Sequence, residues 1–302
     1  MNVSVFCSPT HLKIVIGTAD SRWIKVDDFG MFSLPEGAMI NGIITDEDAM
    51  IRFLAEIGKS MGFYRKEVLL VIDTNSIRSK VMDLPIVSEQ KILEFVSQDL
   101  KSFTEAETDD VFDYAVLNGQ LPEGGARILG VAVDRSILQV YRNTLTSAGY
   151  NLKNIDIGVN ALIKLTQILP QLGTGARILA VFDDRNLSLS LFERGDYKIT
   201  NKYRMFSPED TPEWRQEIGS NISSMIQFHK GQRTEEGISS VFFAGLSAAR
   251  VGALMEPLSY LGIEIEMLDL ASHIKYTGKA AKSGIPFVPG QNLLNLGTLL
   301  KN

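Results

Sequence analysis

Two strand–turn–strand openings, far apart in the chain, constrain this sequence more than any other feature. Val3 to Phe6 and Leu12 to Gly17 flank the turn at Ser8, Pro9 and Thr10, and Arg177 to Phe182 and Leu187 to Phe192 flank Asp183, Asp184, Arg185 and Asn186. β-rich runs bounded by turn residues read as hairpins. A chain that opens a sheet twice is expected to build two α/β lobes, and 302 residues suffice for them.

The chain between the hairpins predicts how the first lobe continues. A third strand through Trp23, Ile24 and Val26 is followed by an irregular connection over Gly30 to Gly42. Thr45 with Asp48 marks a helix start, after which Met50, Phe53, Leu54 and Ile57 recur at helical spacing, and Val68 to Ile72 reads as a strand covered on both faces. Ser88 heads a helix striped by Ile92, Leu93, Val96 and Leu100. Strands near Val111 to Leu117 and Arg127 to Val133 come next, then a helix capped by Asp134 and ended at Gly149. The unit 79–150 can bury a face of its own, so it reads as an α+β insertion. Ile155, Ile157 and Val159 alternate as a strand, and a helix from Asn160 to Leu169 stops at Pro170. The expected division is a first lobe over 1–170 and a second over 171–302. The second lobe is completed by a helix from about Thr211 to Lys230, a strand at Val241 to Ala244, a helix from Ala248 to Leu261 and a strand at Ile263 to Met267.

Composition excludes several function classes. The net charge of −6, with Lys and Arg scattered, argues against a nucleic-acid partner. No apolar run approaches the ~18 residues of a membrane span, so no direct membrane insertion is expected and the chain reads as cytoplasmic. The single cysteine, Cys7, forms no internal disulfide and reads as a buried structural thiol. His11, His229 and His273 lack metal-ligand spacing, and Gly278-Lys279 lacks the glycine-rich run of a P-loop. No metal and no catalytic residue is expected.

Several short elements, in order, resemble the PilM family of pilus-assembly proteins, actin-like ATPase relatives akin to FtsA. They are Asn41-Gly42-Ile43-Ile44, the strands Val68 to Ile72 and Arg78 to Leu84-Pro85, Asp113-Tyr114-Ala115-Val116-Leu117, and the joining segment Asn154 to Leu165. The resemblance implies an actin-like (ribonuclease H-like) fold of two lobes with an α+β insertion in the first. It also implies a place at the inner face of the cytoplasmic membrane, in a type IV pilus or type II secretion assembly. The implied partner is the cytoplasmic tail of a PilN-like single-span protein, held between the first lobe and the insertion, with Leu84, Ile86, Tyr114 and Val116 as its contacts.

Actin-like relatives hold ATP and Mg²⁺ on two hairpin turns, each with Asp and nearby Gly, because backbone N–H groups must approach phosphate closely. Here Ser8, Pro9 and Thr10 supply neither carboxylate nor Gly, and Pro9 has no N–H to donate. Asp183 and Asp184 remain without Gly, and one glycine, Gly245, stands where the family uses two. The subdomain that clamps the base is reduced to a connection through Tyr197 to Trp214. Ser8, Thr10, Asp183, Asp184 and Gly245 are therefore expected to form a vestigial cleft with no cofactor. The alternative is a nucleotide-dependent switch or weak ATPase built on Asp183 or Asp184 and Gly245. At the end of the chain, Gln291 to Asn302 follows a rigid Pro-bearing stretch. It reads as a helix striped by Leu293, Leu296 and Leu300 or, through Asn292-Leu293-Leu294, as a mimic of the partner peptide.

Overall fold

The computed structural model describes residues 1–20, 22–85, 88–102, 109–120, 125–232 and 236–301, with the backbone alone for 118–120. β1 (Asn2–Cys7) and β2 (His11–Ala19) form the first hairpin, and β3 (Ile24–Ser33) continues it antiparallel. β3 runs through Gly30 to Ser33, where an irregular connection was expected, because β2 offers partners as far as the pair His11–Ser33. A miniature hairpin, β4 (Met39–Ile40) and β5 (Ile43–Ile44), leads into α1 (Glu47–Ser60). The N-cap of α1 is Asp46, whose carboxylate accepts the Ala49 N–H at 2.9 Å, while the Thr45 hydroxyl donates to the Gly37 carbonyl. β6 (Glu67–Ile72) then lies parallel to β1.

The insertion follows: β7 (Arg78–Leu84), α2 (Glu89–Lys101), β8 (Asp110–Gln120) and β9 (Ala126–Asp134), with sheet order β7-β9-β8. Its own core is small, formed by Met82, Val96, Leu100, Ile128 and Ala132. α3 (Arg135–Ser147) is capped by Asp134, ends before Gly149 at φ +87°, and packs on α1. Its Tyr141 and Leu145 join the main core of the first lobe, so α3 belongs to that lobe and the unit expected over 79–150 is shorter. β10 (Asn151–Ile157) pairs parallel with β6, and α4 (Gly158–Leu165) starts at Gly158, taking in Val159, which was expected in the strand.

The second sheet repeats the first. β11 (Ala176–Asp183), β12 (Asn186–Glu193) and β13 (Asp196–Arg204) form an antiparallel meander; α5 (Pro212–Gly231) leads to β14 (Ile238–Ala244) parallel to β11, and α6 (Ala248–Met255) to β15 (Glu264–Met267). The strand orders β3-β2-β1-β6-β10 and β13-β12-β11-β14-β15 are the same topology: a meander whose first strand takes a parallel neighbour, which in turn takes a second. Parallel pairing requires crossover helices, which α1, α3, α5 and α6 supply. Between β13 and α5 only residues 205–211 intervene.

The end of the chain leaves the second lobe. β16 (Ile274–Tyr276) pairs with β3 at the edge of the first sheet, and α7 (Leu293–Leu299) packs on α4, β1, β2 and β6. The expected boundary of 171–302 is crossed there. All seven residues of α7 are buried, which marks a helix enclosed on every side rather than an amphipathic one. Asn295 Nδ2 donates to the Ser4 and Lys13 carbonyls at 3.1 and 3.2 Å. A Cβ on Gly297 would stand 2.0 Å from the Ala161 carbonyl oxygen, so α4 and α7 touch backbone to backbone. The tail is a core element, which overturns its reading as a peptide mimic.

Candidate functional site

Two places follow from this architecture: the cleft where the β1–β2 and β11–β12 turns face each other, and the groove where the insertion meets the first sheet.

The cleft is bridged by the protein's own charges. Lys13 lies in a strand whose neighbours Leu12, Ile14, Val15 and Ile16 are all buried, and its Nζ donates to Asp183 Oδ1 at 2.6 Å and to the Gln291 carbonyl at 2.9 Å. Lys202, on β13, donates to Asp73 Oδ1 at 2.5 Å. Each lobe thus contributes one Lys and one Asp to two reciprocal ion pairs. Burial pushes the Asp183 carboxyl above its usual range, Lys13 opposes that shift, and Asp73 and Asp184 add to it. The space left among Phe6, Pro9, Lys13, Asp183 and Gln291 is about 50 Å³, against the ~300 Å³ or more of ordinary small-molecule sites.

The residues expected in this cleft have local roles. The Ser8 hydroxyl accepts the His11 N–H at 3.1 Å, closing its own turn, and Thr10 Oγ1 lies 2.7 Å from His11 Nδ1. Asp184 is exposed at the second turn with φ +55°. Gly245, at φ +85°, passes so close to the Phe182 carbonyl that a Cβ would stand 2.0 Å from its oxygen, which gives this glycine a packing reason. Cys7 is buried and its thiol is pushed up to about 12 by desolvation. Lys13, Asp73 and Lys202 were not singled out in the sequence. The available signal for Lys13 was a lone cation inside a run of apolar residues.

The groove is larger. β10 is the last strand of the first sheet and β8 the last of the insertion sheet, so among the described residues each presents an unpaired backbone edge. Between them, with β9 and α3, lies a cavity of about 330 Å³ lined by Val111, Ala115, Val133, Leu138 and Ile155, among others. Asp156 and Asn160 close one end, where Asp156 is buried and accepts from Lys164 Nζ at 2.5 Å, Asn160 Nδ2 at 2.8 Å and the Ile157 N–H at 2.9 Å. A buried carboxylate with this many donors is a fixed wall.

Strand alternation decides which sequence-expected contacts reach the groove. On β8, Phe112 and Tyr114 pack toward α2 and the insertion's core, while Ala115 packs toward the first lobe. Tyr114 borders the groove but sends its ring into the insertion's core, Leu84 packs in that same core, and Val116 is 62% exposed outside the groove. Ile86 lies outside the described residues. The groove face is carried by Val111, Asp113 and Ala115, of the opposite parity.

A third cavity of about 610 Å³ opens between the lobes, lined by Asp73, Thr74, Arg78 and Lys80 on one side and Thr200, Lys202 and Tyr203 on the other. No helix among the described residues is long and apolar enough to cross a membrane.

No protein-family model and no curated protein matches the sequence. Solved structures match its fold. The chain superposes on one described as the PilM-PilN type IV pilus biogenesis complex with a TM-score of 0.80, covering 99% of this chain and 97% of that one at 13% identity. It also superposes on a Bacteroides thetaiotaomicron VPI-5482 protein of actin-like ATPase fold and unknown function, with a TM-score of 0.55 over 99% and 95% of the two chains at 12% identity. With paired meander-led sheets, a small insertion after β6 and end-to-end superposition on a chain of the PilM-PilN complex, this protein has the actin-like fold.

Proposed function

We propose that this chain is a non-catalytic cytoplasmic scaffold of a type IV pilus or type II secretion assembly, peripheral to the inner face of the membrane. In this reading its groove between β8 and β10 receives the cytoplasmic tail of a PilN-like single-span membrane protein. The observation that carries the proposal is the division of space: about 50 Å³ at the hairpin turns, already bridged by Lys13 and Asp183, against about 330 Å³ in a groove of mixed apolar and polar lining between two strand edges that are unpaired among the described residues. An extended peptide gains affinity from main-chain hydrogen bonds to such an edge and selectivity from side-chain pockets beside it. The overlap with a chain of the PilM-PilN complex supports the assignment of the partner.

A second reading, a nucleotide-dependent switch, draws on the 610 Å³ inter-lobe cavity and its Arg78, Lys80 and Lys202. Calorimetry separates the two. The scaffold reading expects micromolar binding of a peptide copied from the cytoplasmic tail of a PilN-like protein, and no heat from Mg-ATP. Micromolar Mg-ATP binding would overturn it.

A further inference from the structure

The insertion treats one aspartate differently from the rest. Asp83 pairs with Arg127 at 2.7 Å, Asp99 with Lys80 at 2.9 Å, Asp109 with Arg135 at 3.0 Å and Asp110 with Arg78, while Asp134 caps α3. Asp113 faces the groove and pairs with no cation among the described residues; its carboxylate accepts the following amide, Tyr114 N–H, at 2.8 Å. Among the described residues no Lys or Arg lines the groove, and its other carboxylate, Asp156, is already matched by Lys164. The groove therefore mixes apolar side chains with the polar Tyr114, Asn154 and Asn160, and the exposed Asp113 on its β8 wall is the one carboxylate there without a cation among the described residues.

We infer, on the reading that this groove receives a peptide, that its occupant is an extended apolar segment carrying a Lys or Arg whose side chain pairs with Asp113. Charge complementarity selects that chemistry: an acidic or neutral segment would either meet like charge or cover Asp113 without a partner. Alternation in an extended chain puts every second side chain toward one wall at roughly 6.6 Å intervals. Apolar side chains then fill the space beside Val111, Ala115, Val133 and Leu138, and the basic one reaches the carboxylate between Val111 and Ala115. Cytoplasmic segments next to a membrane span are rich in Lys and Arg, which makes the tail of a single-span protein the source that fits. Asp113 is thereby a specificity-determining residue of the groove.

The test selects binders from a random library of short peptides on the intact protein. Winners should share apolar residues and one Lys or Arg. Replacing that residue by norleucine or citrulline should weaken binding about fivefold, as a partly exposed ion pair does. Asp113→Asn should cause the same loss for the basic peptide and none for the citrulline peptide, and Asp113→Lys should reverse the preference toward Glu. If Asp113→Asn leaves both peptides unchanged or weakens both alike, the charge inference is wrong while the groove remains. Ala115→Trp and, independently, Ile155→Trp, each checked for native melting, should block every peptide. Undiminished binding to both would place the peptide elsewhere and sink the groove itself. A library that yields no binder overturns both.

Discussion

Replacing Lys13 with methionine tests whether the cleft is held by an internal ion pair. Lys13 is 5% exposed and the Asp183 side chain 22%, so the substitution strands a carboxylate in a desolvated site and removes the bond to the Gln291 carbonyl. Breaking a fully buried pair costs ~3–5 kcal/mol. With Asp183 partly reached by water, about 2–3 kcal/mol is the expected loss at neutral pH. An unfolding entropy of roughly 2.1 cal/mol/K per residue, over 302 residues, converts this to a melting temperature lower by about 4 °C. The sign of the pH dependence follows from Asp183, whose folded-state pKa is already raised by burial above 3.8. Its contribution to stability is complete below 3.8 and is lost as pH rises through the raised value. Removing Lys13 raises it further, so Lys13→Met should be nearly silent at pH 3 and damaging at pH 7. Lys13→Met with Asp183→Asn should recover to within about 1 kcal/mol of wild type, since a neutral pair in such a place is well tolerated. Differential scanning calorimetry across pH reads all of this. A double variant as unstable as Lys13→Met alone would refute the argument, because the loss would then come from packing and not from a stranded charge.

Other consequences are direct. Deleting 292–302 should abolish cooperative folding and expose apolar surface to a dye, since α7 fills the first lobe, and Gly297→Ala alone should cost about 1–3 kcal/mol by forcing α4 and α7 apart. The Asp183 carboxyl carbon, followed by NMR, should titrate above 3.8, and a midpoint below that value would contradict the burial argument. The Cys7 thiol, buried and pushed up to about 12, should ignore a thiol reagent in the native protein and react at once in denaturant.

What the sequence shows of this fold is what local chemistry writes. The hairpins, the cap at Asp134 and the left-handed residue Gly149 come from residues within a few positions of each other. The return of β16 to β3 is different: three residue pairs, such as Ile274 with Ile24, join distant parts of the chain and leave no periodic trace. The partnership of Lys13 with Asp183 spans 170 positions, and only the oddity of a lysine among buried neighbours hinted at it. In the groove, the β8 strand was legible but its facing was not. A one-residue change of parity decides whether Asp113 and Ala115 or Phe112 and Val116 face it, and what sets that parity is the packing of Phe112 and Tyr114 on the insertion's own core with Ala115 toward the first lobe.

The central claim, that the groove and not the cleft is where this protein works, is tested most directly by hydrogen exchange on the intact chain with and without each ligand. Bound partner-tail peptide should slow exchange in β8 over 110–117 and in β10 over 151–157, and Mg-ATP should slow exchange nowhere. Protection by Mg-ATP at the turns 8–10 and 183–186, with β8 and β10 unchanged by peptide, would contradict it.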